Sequence, residues 1–375
     1  MRPALVLIAA VLAASAPLTL AQTAAPQDGP YKVLKTARVG GEGGWDYIYA
    51  NADSRRLYIP RGATRAVPAT DTTPEVAAVP ERLTIFDLDT LKPLGEISGI
   101  GGNGTAVDAK VNHGFTSDHP KVSMFDTTTM TLIKSIDVGT AARPDGIYFD
   151  PFNEHVYVFS HPTKDATVID AKDGTVLGTV DLGGTPEQGV GDGKGMLYDV
   201  MQDAVGGVAV VDVKTMKTVA HYSFIDKGGC NGLAIDAKNE ILFAACSRPQ
   251  PTMVVMSAKD GKILTTLPLA GGSDGATFNP ATMEAFSTGG NGTMTIVKEN
   301  SPTSFAVEQN LQTMNGARTI TFDSKTGHLF TMSQERGPAL APAPAATAAP
   351  TPGGRGPQGV TVPGSFTILM IGKAQ

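Results

Sequence analysis

Short apolar runs follow one another along most of the chain, and residues that favour turns separate them. Residues 142–183 contain four such runs, "GIYFD", "HVYVFS", "ATVID" and "TVLGTVDLG", with "DPFNE" and "AKDGT" among the intervening turns. This pattern is typical of β-strands joined by tight turns, because Gly, Asp, Asn and Pro end a strand and reverse the chain. Long segments with a 3.6-residue apolar period are missing from the sequence, so the chain is predicted to be all-β.

The unit of four runs recurs along the chain. Strand patterns equivalent to the one that begins at Asp145 start at six other positions, and the successive separations are 57, 42, 43, 43, 43 and 44 residues. A unit of about 43 residues with four strands is typical of a β-propeller blade. We therefore predict a seven-bladed β-propeller of four-stranded blades. The equivalent residues are Asp46, Asn103, Asp145, Gln188, Asn231, Asp274 and Arg318.

The last repeat ends one strand short, and a segment near the N-terminus matches the missing strand. Residues 31–40, "YKVLKTARVG", are similar to "TLIKSIDVG" and "TVLGTVDLG" in other repeats. We expect this segment to complete the seventh blade as its outermost strand, which would close the ring and remove open sheet edges. Residues 31–375 are therefore predicted to form one domain.

Two insertions separate the second and third strands of the first and seventh predicted blades. They comprise residues 61–82 and the Pro/Ala-rich residues 336–364. We expect the second insertion to be extended or disordered. Both would leave the same face of neighbouring blades.

The N-terminus has the pattern of a secretory signal peptide. Arg2 precedes the apolar run "ALVLIAAVLAA", and small residues follow up to Ala21. The run is shorter than the roughly 20 residues that cross a bilayer, so we predict cleavage after Ala21 and no membrane insertion. Residues 1–21 are thus a predicted signal peptide, residues 22–30 a short mature N-terminal segment, and the protein is expected to be periplasmic or secreted.

Charge and composition restrict the partners. The chain has 30 Lys and Arg against 36 Asp and Glu, a formal net charge of −6, and no basic stripe with interleaved aromatic residues. A nucleic-acid partner is therefore not expected. We also expect a monomer.

The repeats resemble a known family. Runs such as "HVYVFSHPTKDATVIDAKDGTVLGTVDLGGTPE" are similar to the YVTN repeats of the YncE-like exported bacterial seven-bladed propellers, and the resemblance covers residues 31–372. It implies a periplasmic or secreted propeller of the binding type. It implies no catalytic residues, because the repeat motif is structural.

The only two cysteines, Cys230 and Cys246, fall on the first two strands of the fifth predicted blade. In a hairpin that turns near Lys238 they would be cross-strand neighbours, within the distance that a disulfide bridges. An oxidising compartment favours this disulfide over two buried free thiols. A redox-active pair is the third alternative, although the Cys-x-x-Cys spacing is absent.

In a propeller, the entrances of the innermost strands gather at one mouth of the central channel. The seven equivalent residues would form a ring there with three carboxylates, three amides and one guanidinium. Such a ring suits a small polar ligand or a divalent cation such as Ca²⁺. The Asp-Gly and Asn-Gly pairs could equally be turns only, because these residues tolerate unusual backbone angles. The candidate metal ligands are Asp46, Asn103, Asn231 and Asp274.

A second set of candidates lies further out on the same predicted face: Trp45, His119, Arg143, His161 and Arg248. His119 and His161 occupy equivalent His-Pro positions in adjacent blades, where proline shapes the loop. A metal site on these histidines would need a third ligand, and Asp145 and Asp118 are nearest in sequence. Trp45 would either stack on a ligand or cover the neighbouring blade, and we favour the second interpretation.

Two functions fit these candidates. The first is a non-catalytic exported protein that binds a small molecule or a protein partner through the channel-mouth face. The alternative is a divalent-metal-dependent lactonase or esterase, in which the metal holds the substrate carbonyl and Asp145 acts as base. A structural or assembly role stays open as well, and no motif in the sequence decides whether the chain is an enzyme.

Overall fold

The computed structural model describes residues 27–66, 69, 75, 77–337 and 359–374. These residues form 28 β-strands, numbered in chain order, in seven four-stranded antiparallel sheets. The architecture is the predicted seven-bladed β-propeller. No helix in the described part of the chain has the length and apolar character needed to span a membrane.

The first three blades are each built from four consecutive strands, after strand β1 (Tyr31–Arg38). The first blade contains β2 (Tyr49–Asn51), β3 (Arg56–Arg61), β4 (Arg82–Asp87) and β5 (Pro93–Ser98). The second contains β6 (Thr105–Asp108), β7 (His113–Thr116), β8 (Lys121–Asp126) and β9 (Thr131–Asp137). The third contains β10 (Pro144–Asp150), β11 (His155–Ser160), β12 (Asp165–Asp170) and β13 (Val176–Asp181).

Blades four to six follow the same plan. The fourth blade contains β14 (Pro186–Gly191), β15 (Met196–Met201), β16 (Gly207–Asp212) and β17 (Lys217–Ser223). The fifth contains β18 (Gly228–Asp236), β19 (Ile241–Arg248), β20 (Thr252–Ser257) and β21 (Ile263–Pro268). The sixth contains β22 (Ser273–Asn279), β23 (Glu284–Gly289), β24 (Thr293–Ser301) and β25 (Ser304–Gln312). The first strands of neighbouring blades contact one another and so line the central channel.

The seventh blade closes the ring with the N-terminal strand. Its strand order is β26 (Thr321–Phe322), β27 (Leu329–Ser333), β28 (Thr367–Lys373) and β1. Strand β1 pairs antiparallel with β28 along its length, which confirms the predicted closure. The buried Tyr31 of β1 also joins this blade to the sixth. Its ring packs edge-on against Phe286 at 5.1 Å between centroids, and its hydroxyl donates to Glu284.

The hydrophobic core lies between adjacent blades. Nearly every side chain of the middle strands β11 and β12 is buried, because neighbouring blades cover both faces of a blade. The outermost strand β17 alternates between exposed and partly buried positions, since one of its faces meets solvent. This difference explains why the middle strands have continuous apolar runs and the outermost strands alternate.

The predicted disulfide is present in the fifth blade. Cys230 on β18 and Cys246 on β19 lie directly opposite each other, and their sulfur atoms are bonded at 2.06 Å. Both cysteines are fully buried in the core between the fourth and fifth blades. The bond therefore joins two strands of one hairpin beside the central channel.

Register shifts at the strand entrances decide where the channel-mouth side chains lie. The pairing of β10 with β11 shifts between Pro144 and Ile147, and that of β14 with β15 shifts between Pro186 and Gly189. Strands β18 and β22 have similar shifts at their entrances. A bulge of this kind leaves a residue unpaired and redirects its side chain. The residues that lie inside these bulges and line the mouth of the channel are Asp145, Glu187, Asn231 and Asp274.

Both insertions leave the blades where the sequence predicts. Thr64 and Val79 form a bridge across the base of the first, and Arg336 and Thr361 do so in the second. The predicted signal peptide, residues 1–21, and most of the Pro/Ala-rich segment, residues 338–358, lie outside the described residues.

Candidate functional site

A polar cavity of about 400 Å³ occupies one mouth of the central channel. Among the residues predicted at this mouth, those that line the cavity are Asp46, Asp145, Asn231, Asp274, His161 and Arg248. The lining residues that the sequence did not indicate are Tyr47, Glu187, Gln202, Gly229 and Ser247. The blades thus bring together most of the predicted side chains and add a carboxylate, a phenol and an amide.

Three titratable side chains meet at one side of this cavity. Nε2 of His161 lies 2.9 Å from Oδ2 of Asp145 and 3.4 Å from Oε1 of Glu187. One donor atom from each of the three residues lies within 4.8 Å of the other two. Despite these short distances, neither oxygen is aligned for a hydrogen bond with Nε2, and this atom has no other partner in the described structure. Asn103 orients Asp145, because its side-chain Nδ2 donates a hydrogen bond of 2.7 Å to Oδ1 of Asp145.

The carboxylate of Glu187 is held by neutral donors from three blades, the first, the fourth and the fifth. The hydroxyl of Tyr47, from the first blade, donates to its Oε2 at 2.6 Å. The side-chain amides of Gln202 and Asn231 donate to its Oε1. These hydrogen bonds orient the carboxylate toward His161 without neutralising its charge.

The two carboxylates titrate in opposite directions. Burial, reinforced by the nearby carboxylate of Asp145, raises the pKa of Glu187 well above its usual range. Burial also opposes ionisation of Asp145, but His161 and Asn103 outweigh it and lower the pKa of Asp145. Two carboxyl groups that share one site usually separate in this way, because both cannot ionise freely without a counter-charge.

A second group at the mouth is an ion-pair bridge. The guanidinium of Arg318 contacts Asp46, with Nη2 to Oδ1 at 3.3 Å, and its Nε contacts Oδ2 of Asp274. Burial would lower the pKa of Arg318, but the two aspartates outweigh it and raise that pKa. Asp46 and Asp274, predicted as ligands of a cation, are therefore paired with a protein cation instead.

The fourth blade departs from the predicted ring. The amide of Gln188 is used inside the channel wall, where its Oε1 accepts from the backbone of Leu233 and Ala276 and its Nε2 donates to the carbonyl of Ala276. Glu187, one residue earlier, lines the mouth instead. The signal that could have identified it is the proline before each acid, "RPDG" in the third blade and "TPEQG" in the fourth.

The outer candidates separate into two kinds. Trp45 is buried and packs edge-on against Phe366 of the seventh blade at 5.0 Å between centroids, so it covers the neighbouring blade. His119 and Arg143 are exposed and are not among the residues that line the cavity. His161 and Arg248 line it.

The donor set at His161 could hold a metal ion. Four ligands held tetrahedrally at about 2.0–2.2 Å from a cation lie roughly 3.3–3.6 Å from one another. The contacts of His161 with the two carboxylates, 2.9 and 3.4 Å, are close to that spacing. One imidazole nitrogen and two carboxylate oxygens suit a divalent transition metal better than Ca²⁺, which prefers oxygen ligands throughout.

Comparisons with known proteins support the β-propeller fold, but they assign neither a family nor a function. No family model matches the chain, and no curated protein is significantly similar to it in sequence. Among solved structures, it is similar to a chain of hydrazine synthase from Kuenenia stuttgartiensis, with a TM-score of 0.64, 14% sequence identity, and coverage of 76% of this chain and 91% of that one. Similarity at this level of identity shows a shared architecture alone, and the YVTN-repeat resemblance stays a prediction.

Proposed function

We propose that this chain is a ligand-binding propeller that holds a divalent transition-metal ion at its channel mouth and binds a small polar molecule beside it. The main support for this proposal is that Asp145, His161 and Glu187 converge on the wall of a cavity, where their donor atoms lie within 4.8 Å of one another. Polar groups that converge in a concave pocket are the usual setting of a ligand site.

Electrostatics favours a cation at this position. The carboxylate of Glu187 is buried against that of Asp145, and Arg318, the guanidinium that pairs with other acids of the mouth, is engaged by Asp46 and Asp274. A divalent ion between the two carboxylates would offset their repulsion. The metal ligands must be deprotonated to bind, so metal affinity should increase with pH.

Metal titration of the purified protein tests this proposal. We expect one equivalent of Zn²⁺ or Mn²⁺ to bind, and we expect His161→Ala to weaken binding at least about tenfold because one of three ligands is lost. His119→Ala is the matched control, since His119 has the same His-Pro context but is exposed and outside the cavity. Wild-type protein that binds neither ion, or a His161→Ala variant with unchanged affinity, would refute the metal site.

A second candidate function is metal-dependent hydrolysis of a lactone or ester. It is favoured by the number of protein ligands, because three ligands leave coordination positions open, as in catalytic zinc sites. Asp145 would then be a ligand, not the base that the sequence suggests. Turnover of a lactone by metal-loaded protein, with loss of turnover in His161→Ala, would support this function. If protein that binds metal shows no turnover, only the binding function would remain.

The disulfide indicates a compartment outside the cytoplasm, where such bonds persist. We propose that the protein acts in the periplasm or outside the cell. Protease accessibility of the protein in intact cells after outer-membrane permeabilisation would test this location.

A further inference from the structure

We propose that the ligand of the channel mouth is a small organic acid whose carboxylate binds Arg248 and whose other oxygen atoms face the metal ion. This inference rests on the proposed function and specifies its ligand. Arg248 lies at the end of β19 in the fifth blade, whereas His161 belongs to the third, and both line the same cavity. The ligand would therefore span the mouth between the two blades.

Arg248 is the first reason for an anionic ligand. Its side chain is partly buried and lines the cavity, and within the described residues its guanidinium makes no hydrogen bond and no ion pair. A guanidinium that lines a cavity and has no side-chain partner there is available to bind an anion. Its five donors in a planar fork match a carboxylate, which can accept two parallel hydrogen bonds.

The backbone beside Arg248 leaves space for its guanidinium. Gly229 has a φ of +59°, and a Cβ added to it would lie 2.8 Å from Nε of Arg248. The guanidinium thus lies against a residue that has no side chain, at the entrance of β18. A side chain at residue 229 would meet the arginine, so the glycine leaves room for the guanidinium at the cavity wall.

The other charges at the mouth leave Arg248 as the place for an anion. Arg318 is occupied by Asp46 and Asp274, and the cation would be occupied by Asp145 and Glu187. The carboxylates that line the rest of the mouth disfavour an anion beside them, so we place one carboxylate of the ligand at Arg248 in the fifth blade. The hydroxyl and the remaining oxygen atoms of a hydroxy acid could then complete the open positions of the metal.

Binding of malate and of its uncharged diamide tests the inference. The protein is loaded with one equivalent of the metal, freed from excess cation and titrated calorimetrically with each compound. We expect malate to bind at least about tenfold more tightly than the diamide, since a charge-assisted bidentate contact contributes on the order of a factor of ten or more. Arg248→Gln should abolish this preference and leave the affinity for the metal unchanged.

Arg143→Gln is the control, because Arg143 is an exposed arginine at the same mouth that does not line the cavity. It should keep the preference for malate. Equal affinity for acid and diamide, or a preference that survives in Arg248→Gln, would overturn the inference. So would the absence of measurable binding for malate, lactate and gluconate alike. Failure of the metal titration would instead refute the proposed function, and the same comparison on metal-free protein would still test Arg248.

Discussion

Removal of the Cys230–Cys246 disulfide is expected to cause a large loss of stability. The bond closes a loop with a sequence separation of 16 residues. On the chain-entropy model, a loop of that size contributes about 3 kcal/mol, because the cross-link restricts the unfolded chain. Both side chains are fully buried, so the double variant Cys230→Ala/Cys246→Ala also loses packing, and we expect a total loss of about 3–5 kcal/mol.

Equilibrium unfolding in urea separates the two contributions. Reduced wild-type protein keeps both sulfur atoms in the core, where they only move apart to non-bonded distance, and should lose mainly the cross-link, about 3 kcal/mol. The double alanine variant should be less stable than reduced wild type, since its side chains leave a small void between the fourth and fifth blades. If both forms unfold within about 1 kcal/mol of the oxidised protein, the entropy argument is wrong for this hairpin.

Two further predictions concern ring closure and a buried acid. Tyr31→Phe keeps the packing on Phe286 but removes a hydrogen bond to the buried Glu284, so thermal unfolding should show a loss of about 1–3 kcal/mol. Burial, with the neighbouring Asp236, raises the pKa of Glu299. The protonated form of Glu299 is therefore favoured in the folded protein. Its contribution to stability is complete below the pKa of the unfolded chain and is lost as pH rises through the pKa of the folded protein. Glutamine cannot ionise, so the stability of the Glu299→Gln variant relative to wild type should increase from about pH 4 to pH 8 in urea unfolding.

Each of these changes has a control that separates it from a general effect of substitution. Tyr222→Phe removes a more exposed hydroxyl that contacts only backbone carbonyls, and it should change stability by less than about 0.5 kcal/mol. Equal effects of the two tyrosine variants would argue against the closure contact. Glu154→Gln alters an exposed acid paired with Lys110, so it should not gain stability as pH rises. A Glu299→Gln variant whose relative stability does not change with pH would mean that this acid ionises normally in the fold.

The sequence predicts the fold because the pattern of apolar strands and turns that forms a blade is repeated along the chain. The middle strands are buried on both faces and the outermost strands on one, so the apolar pattern of each strand shows its place in the blade. The N-terminal strand could be assigned to the seventh blade for the same reason. The disulfide followed from the register of a single hairpin, in which Cys230 and Cys246 are direct neighbours.

The site could be predicted only in part, because side chains at the mouth depend on bulges and on contacts across the channel. Equal spacing of the repeats selects Gln188, whereas the bulge after Pro186 brings Glu187 to the mouth. Tyr47 reaches Glu187 from the first blade, a contact between residues 140 positions apart in the chain. The pairing of Arg318 with Asp46 is similarly distant in sequence, and repeat alignment carries no information on such pairs.

Anomalous X-ray diffraction from crystals soaked in Zn²⁺ or Mn²⁺ would show whether the channel mouth holds a cation. We predict one strong peak there, about 2.0–2.2 Å from Nε2 of His161 and from one carboxylate oxygen each of Asp145 and Glu187. The peak should vanish in His161→Ala crystals. No peak at this position, or a peak at Asp46 and Asp274 in its place, would show that these three residues do not form a metal site.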